Sequence, residues 1–363
     1  MNTCLLEYQG LYLKVSADPE TLSWLKDFMA CGFQTDVEGS YQRAVSLHID
    51  PTRHRKLLAL RPESTDAKLV SLANDTHDCL VEECHLVGLF FDAENQVFFQ
   101  VQEDSLEIEI IAAELNRLVR LVLMKVVREL VQEHLYKNSV AIFHSAAVMA
   151  PEGVILLCGP RQSGKTTTLL SLLDTCGLPY VSNDRTAVWL EGPKAFCRGV
   201  PTLVSIRPGT LDLRPELRSR LQTVTSHPLS ANGNQYLNPP ELINLVGCST
   251  SVGGPLAALV CLEFDPQQEG FQISPWQNDE ALQACRRGVF RASRIRALGQ
   301  IFQTGANFTD STWTVARPIA QKLIDNGKVY HCRTGQGTAF SQAQCQRFLE
   351  QIAKLSSSSN RTD

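Results

Sequence analysis

Residues 154–173 read VILLCGPRQSGKTTTLLSLL, and the architecture of the chain follows from how they fold. An apolar run, 154–158, leads into a glycine-bounded loop. An amphipathic run follows and ends at Gly177, a residue suited to the left-handed position after a helix. The expected order is strand, loop, helix. Gly159, four residues, then Gly164-Lys165-Thr166 is the phosphate-loop pattern. Glycines in such a loop let the backbone approach phosphate oxygens without a Cβ clash, and N–H groups at the helix start converge on the anion. The nucleotide-binding segment therefore runs from Gly159 through Pro160, Arg161, Gln162, Ser163, Gly164, Lys165 and Thr166 to Thr167. Lys165 is its mobile charge for the β- and γ-phosphates, and the Thr166 hydroxyl is a magnesium ligand. The plainer alternative for the same letters is a glycine turn with a solvated lysine.

Around that core the chain divides. With 363 residues and 44% hydrophobic content it can bury two cores, so two domains are expected. Residues 1–105 alternate strand-like runs with one helical run, DPETLSWLKDFMAC, and predict an N-terminal α+β domain. FFDAENQVFFQVQ sets residues 92–95 between aromatic-rich strands, the pattern of a hairpin. Apolar residues three and four apart over 106–136 predict one long helix that bridges or packs the domains. The nucleotide domain takes 137–355, and SSSSNRTD, 356–363, reads as a disordered tail. Inside the nucleotide domain, strands are expected near 179–182, 186–190 and 200–206. ELINLVG reads as a short helix, PLAALVCLEFD as a buried strand and DEALQACRRGVFRASRIRALGQIF as a basic helix.

Twelve cysteines follow no repeated spacing, which favours free buried thiols; Cys158 and Cys261 fall in apolar runs. In HDCLVEECH, residues His77, Cys79, Cys84 and His85 could meet a zinc ion, but the spacing fits no common zinc pattern. Lys and Arg total 34 against 38 acidic residues, so no bulk positive field invites nucleic acid or an acidic membrane surface. No apolar stretch approaches a membrane span and the N-terminus has no signal-peptide pattern, so a cytoplasmic location is expected. A homo-oligomer is left open.

The loop alone does not choose between phosphoryl transfer and hydrolysis. Its best companion is YVSNDR, where Asp184 and Arg185 close a short apolar strand. A carboxylate facing the phosphate loop can hold magnesium or take the proton of an attacking hydroxyl; the alternative is an Asx turn capping the strand. Asp265, after LAALVCLEF, is the rival: a strand-end metal carboxylate of the kind switches and motors use, or a turn residue before Pro266. His144, in AIFHSAAV, falls on the strand expected to hairpin into the loop's strand, where imidazole can touch phosphate or orient an acceptor. A packing role is its alternative. Arg198, Arg207, Arg286, Arg287, Arg291, Arg294 and Arg296 are either cations for transition-state charge or a solvated face, Arg287, Arg291 and Arg294 sharing one helix side.

The succession from His144 to Val148, then GVILLCGPRQSGKTTTLLSLL, then YVSNDRTAV resembles the core of the HPr kinase/phosphorylase family and its HPr-kinase-related relatives. The likeness covers about residues 140–210. It implies a phosphoenolpyruvate-carboxykinase-like P-loop kinase core, built on a mixed rather than a doubly wound sheet, beside a smaller N-terminal α+β domain. It also implies ATP-dependent transfer to a serine of a protein, with relatives acting on peptides. Gly159, Gly164, Lys165 and Thr166 match the family's nucleotide loop, His144 its strand histidine, and Asp184 with Arg185 the second half of an Asp-Asp-Arg run. Asn183 stands where the first Asp would be, and an amide can neither take a proton nor supply charge. The family's serine-binding signature is not recognisable downstream.

These readings combine into an α/β and α+β chain acting as an ATP- and Mg2+-dependent kinase. Asp184 and His144 are its catalytic residues, and Thr166 and Asp184 its metal ligands. The acceptor is a protein or peptide serine, or a small-molecule alcohol. Two alternatives stand beside this one: a nucleotide-binding regulatory protein with little catalysis, suggested by Asn183, and a P-loop ATPase or GTPase using Asp265.

Overall fold

The computed structural model describes residues 1–61, 69–73, 78–83, 88–101, 107–224, 230, 232–268, 270–277, 279–290, 311–335 and 341–359. It separates into two units, one holding Met1–Asn138 and the other Ser139–Phe290 with Thr312–Asp363.

Alternation of apolar and polar residues builds the first unit's sheet. β1 (Asn2–Tyr8) and β2 (Leu11–Ala17) pair antiparallel, burying Leu6, Tyr8, Leu13 and Val15 on one face. Their turn, Gln9 and Gly10, has both φ values positive, the two-residue form whose twist matches the strands. α1 (Pro19–Met29) starts where the Asp18 carboxylate accepts the Thr21 N–H. β3 (Gln34–Thr35), β4 (Arg43–Ile49), α2 (Pro51–Leu58), β5 (Leu69–Ala73), β6 (Asp78–Glu83), β7 (Leu89–Asp92), β8 (Val97–Val101) and β9 (Glu107–Ala112) follow. The strand order is β3-β1-β2-β4-β9-β8-β7-β6-β5. The expected hairpin is β7 with β8, and the Asp92 carboxylate accepts the Glu94 and Asn95 N–H groups in its turn.

The long helix expected over 106–136 is shorter. Residues Glu107–Ala112 are strand β9, parallel to β4, and α3 (Arg117–Lys137) begins only after Asn116, whose side chain accepts the Val119 N–H. Glu107, Ile108, Glu109 and Ile110 alternate with period two, and that local pattern prevails over the helical spacing that follows it. His77, Cys84 and His85 of the zinc candidate lie outside the described residues, and only the backbone of Cys79, in β6, is described.

The second unit comprises β10 (Ala141–Phe143), β11 (Ala146–Ala150), β12 (Gly153–Cys158), α4 (Lys165–Cys176), β13 (Tyr180–Ser182), β14 (Thr186–Glu191) and β15 (Lys194–Gly199). β16 (Val204–Ile206), α5 (Pro208–Asp212), α6 (Pro215–Val224), β17 (Gln235–Leu237) and α7 (Pro239–Val246) come next. β18 (Gly253–Phe264), β19 (Phe271–Pro275), α8 (Asp279–Gly288), α9 (Ser311–Asp325), β20 (Val329–Thr334) and α10 (Gln342–Ser359) complete it.

Its sheet is mixed and runs β10-β14-β15-β18-β12-β11-β13, with β20 also on β18 and β19 on β20. β12 is antiparallel to β11 but parallel to β18. All six β12 residues are buried, as their continuous apolar run requires of a strand covered on both faces. From this strand Val154, Leu156 and Cys158 join Leu259, Cys261, Leu323 and Val329 in the core.

Two local expectations change here. The strand expected at 200–206 is only β16, and Lys194–Gly199 forms an additional strand antiparallel to β14. The terminal helix runs through Ser359, beyond the start assigned to the disordered tail. Cys345, Phe348 and Ile352 bury one face of α10, and the serines after them contain no glycine or proline to stop propagation. Residues 360–363 lie outside the described residues.

Cys158, Cys261 and Cys285 are free and buried, as a thiol acting as a small hydrophobe should be. Among the described residues, no helix is long and apolar enough to cross a membrane.

Candidate functional site

The chain leaves β12 at Gly159, with φ at 148°. A Cβ here would lie 2.5 Å from the Leu262 carbonyl oxygen and 2.5 Å from Ser163 Oγ, so only glycine lets the loop pass this close to β18. Gln162 (φ 71°) and Gly164 (φ 90°) take left-handed conformations, and the Ser163 N–H closes a turn onto the Pro160 carbonyl at 3.2 Å. Successive turns of this kind direct backbone N–H groups into a concavity that suits an anion. Gly164 is the N-cap of α4 and offers no side chain to the first-turn amides. Ser163 Oγ is buried and has no hydrogen-bond partner among the described residues. Pro160, Arg161 and Gln162 are exposed, whereas Thr166 and Thr167 are half-buried.

Lys165 lies back across its own loop, its ammonium donating to the carbonyls of Gly159 (2.8 Å) and Pro160 (3.0 Å). Burial pushes its pKa down; the nearby Cys158 thiol and Asp184 carboxylate act upward, and the Arg207 guanidinium acts downward. Asp184 and Arg207 thus both stand within electrostatic reach of the loop's lysine.

Asp184 is held by strand pairing. β10 and β14 are antiparallel with Phe143 opposite Thr186, which brings the residue after β10 to the residues before β14. His144 Nδ1 lies 3.2 Å from Asp184 Oδ1, the distance at which a ring N–H donates to the carboxylate. His144 therefore occupies the bend between β10 and β11, not the strand that hairpins into β12; that strand is β11. Its own N–H donates to the Gly288 carbonyl at 2.7 Å. Its side chain is 41% exposed, which argues against a packing role.

On the other side of the carboxylate, Arg185 Nε is 3.6 Å from Asp184 Oδ2. The Arg185 side chain is fully buried, with its guanidinium carbon 4.3 Å from the centre of the Phe290 ring. Asp184 itself has φ at 81°, a conformation costing about 1 kcal/mol or more for a residue with a Cβ. Neighbours hold it there: the Ser145 N–H donates to the Asp184 carbonyl (3.2 Å), the Val200 N–H to the Arg185 carbonyl (3.1 Å) and the Thr202 hydroxyl to the Asn183 carbonyl (2.5 Å). Beneath the turn, Ser145 Oγ donates to Thr186 Oγ1 at 2.9 Å, and Ser182 Oγ lies 2.6 Å from the same atom.

Asn183, where the family resemblance expects a second carboxylate, is 7% exposed. A neutral amide is the less costly group to bury there, because a carboxylate would lose its hydration. Asp265 follows β18, the parallel neighbour of β12, but its Oδ1 accepts the Gln267 N–H at 3.0 Å and its carbonyl the Gln268 N–H at 3.1 Å. It forms the Asx turn that its position before Pro266 allows.

Of the arginines, Arg198 is half-buried on β15, Arg286 stands over the Trp313 ring at 5.9 Å, and Arg287 is exposed. Arg291, Arg294 and Arg296 lie outside the described residues. Arg207 is one of seven candidates in the sequence, and little in its neighbourhood singles it out. The usable signal is Pro208, which places Arg207 at the entry to a helix. The buried hydroxyls of Ser145, Ser182, Thr186 and Thr202 carry no sequence signal, since hydroxyl residues on and beside short strands are common.

No family model matches the chain, and no curated protein matches it.

Proposed function

We propose that the chain is an ATP-dependent phosphotransferase of the HPr-kinase-like type that moves the γ-phosphoryl group onto a hydroxyl. The observation that carries this reading is the His144–Asp184 contact of 3.2 Å, made by a carboxylate that also acts on the charge of Lys165. A general base beside a phosphate loop is what transfer to a hydroxyl requires and simple nucleotide binding does not. The mixed sheet supports a phosphoenolpyruvate-carboxykinase-like core, since the loop strand has an antiparallel neighbour, β11, on one side.

In this reading the loop amides and Lys165 hold the β- and γ-phosphate oxygens, with Lys165 exchanging its loop carbonyls for them. Thr166 and Asp184 are oxygen donors of the kind magnesium takes, and that ion supplies neutralising charge to the phosphates when bound. The acceptor oxygen forms its bond to the γ-phosphorus as the bond to the β,γ-bridging oxygen breaks and ADP leaves. The acceptor's proton passes to Asp184. His144 and Arg185, one on each carboxylate oxygen, keep Asp184 aimed during that transfer. The acceptor is a serine of a protein or peptide, or a small-molecule alcohol.

The test is incubation with γ-labelled ATP and magnesium, with and without cell extract. Label on an acceptor, lost in Asp184→Asn, supports transfer; neither label nor free phosphate leaves a nucleotide-binding protein as the answer. One observation favours a second reading, hydrolysis with Asp265 as the metal carboxylate: β18, which ends just before that residue, runs parallel to β12. Free phosphate without labelled acceptor, abolished by Asp265→Asn and untouched by Asp184→Asn, would decide for it.

A further inference from the structure

The arm that carries Arg207 is fixed at both ends. Upstream, Val204 and Ile206 are buried and β16 pairs with β17, setting Ile206 opposite Gln235. Downstream, Pro208 fixes the first residue of α5, and the Thr210 and Leu211 N–H groups return to the Arg207 carbonyl at 3.0 and 3.2 Å. Thr210 Oγ1 then lies 3.0 Å from Thr167 Oγ1, on the first turn of α4. Arg207 is thereby held beside the phosphate loop by contacts that do not involve its own side chain.

That side chain is half-buried and has no carboxylate partner among the described residues. A half-buried guanidinium with no carboxylate against it, on an arm tied to the first turn of α4, is stabilised when an anion of high charge sits beside it.

We propose that Arg207 is a second cationic contact of the phosphate site and binds the same terminal phosphoryl group as Lys165. The inference rests on the nucleotide reading of the loop. It adds a property that reading lacks: a preference for triphosphate over diphosphate that depends on one residue from outside the loop. A planar guanidinium suits the task because it can donate two parallel hydrogen bonds to phosphate oxygens.

Calorimetric titration of the full chain with magnesium and either ADP or a β,γ-imido analogue of ATP tests it, using wild type, Arg207→Ala, Arg207→Lys and, as a control, Arg286→Ala. Arg207→Ala should weaken the triphosphate analogue about tenfold to a hundredfold and ADP by less than about threefold. Arg207→Lys should recover part of the loss, which a merely structural role would not produce, and thermal melting of each variant checks its folding. If wild type binds neither nucleotide, the loop reading fails and takes the inference with it. If wild type binds both and Arg207→Ala matches Arg286→Ala, or weakens both nucleotides equally, the inference is overturned while the loop reading stands.

Discussion

Replacing Gly159 by alanine tests the geometry of the phosphate loop without reference to any ligand. The added Cβ would meet the Leu262 carbonyl oxygen and Ser163 Oγ, each at 2.5 Å, at a residue whose φ is 148°. Ser163 can rotate away, but the carbonyl belongs to β18, which is clamped between β12 and β20, so the sheet itself must give. Overpacking of this kind costs about 1–3 kcal/mol, and alanine in a glycine-only backbone region costs a further ~1–3 kcal/mol; a combined loss of about 4 kcal/mol, the middle of the summed range, follows. For a unit of this size each kcal/mol moves the midpoint by about 2–4 °C, so the second unit should melt about 8–16 °C lower.

Gly177→Ala is the matched control. Gly177 also has a left-handed φ, 65°, but a Cβ there meets nothing within 4 Å, so only the backbone penalty, about 1–2 kcal/mol, applies. Differential scanning calorimetry of both variants separates the contributions. A Gly159→Ala midpoint no lower than that of Gly177→Ala would refute the argument that the loop is pressed against β18.

The contacts around the loop make three other outcomes measurable. His144→Ala and Asp184→Asn should each lower phosphoryl transfer about a hundredfold or more, yet the double variant should lose little beyond either single one, because the two groups act as a pair; fully additive losses in initial-rate assays would contradict this. For Lys165, whose folded pKa is lowered below 10.5 chiefly by burial, burying the ammonium lowers stability at any pH below that lowered value, where the group is charged in both folded and unfolded chains. As pH rises through the lowered folded value the folded chain sheds the proton first, so in denaturant titrations wild-type stability relative to Lys165→Met should rise as pH climbs towards 10.5; a fall would show the opposite sign of shift. Asp174, near the end of α4, receives both Arg214 and Arg220, and Arg214 is buried. Asp174→Asn should cost about 1–3 kcal/mol by equilibrium unfolding, moderated by the Glu216 that also pairs with Arg214, and no measurable loss would show the cluster to be idle.

The second-unit strands that carry the site are legible where their signal is contiguous. The run into Gly159, the loop and α4 depend on neighbours in the chain: an apolar strand, glycines at left-handed positions and a helix start. Residues 107–112 mark the limit, because a short Glu-Ile alternation adjoining a long helical pattern satisfies both periods until pairing with β4 selects the strand.

The strand, glycine-bounded loop and helix of residues 154–176, and the kinds of acidic and imidazole groups that accompany them, can be read from the order of residues alone. Which of those groups meet is a matter of the folded chain. His144 and Asp184 are distant in the chain and come together because Phe143 pairs with Thr186; Asp265 closes its own turn; and a threonine pair ties the start of α5, where Arg207 stands, to the first turn of α4. Those choices rest on strand register and hydrogen bonds between remote segments, whose free energy exists only once the chain has folded and the entropy of closing the intervening loops has been met.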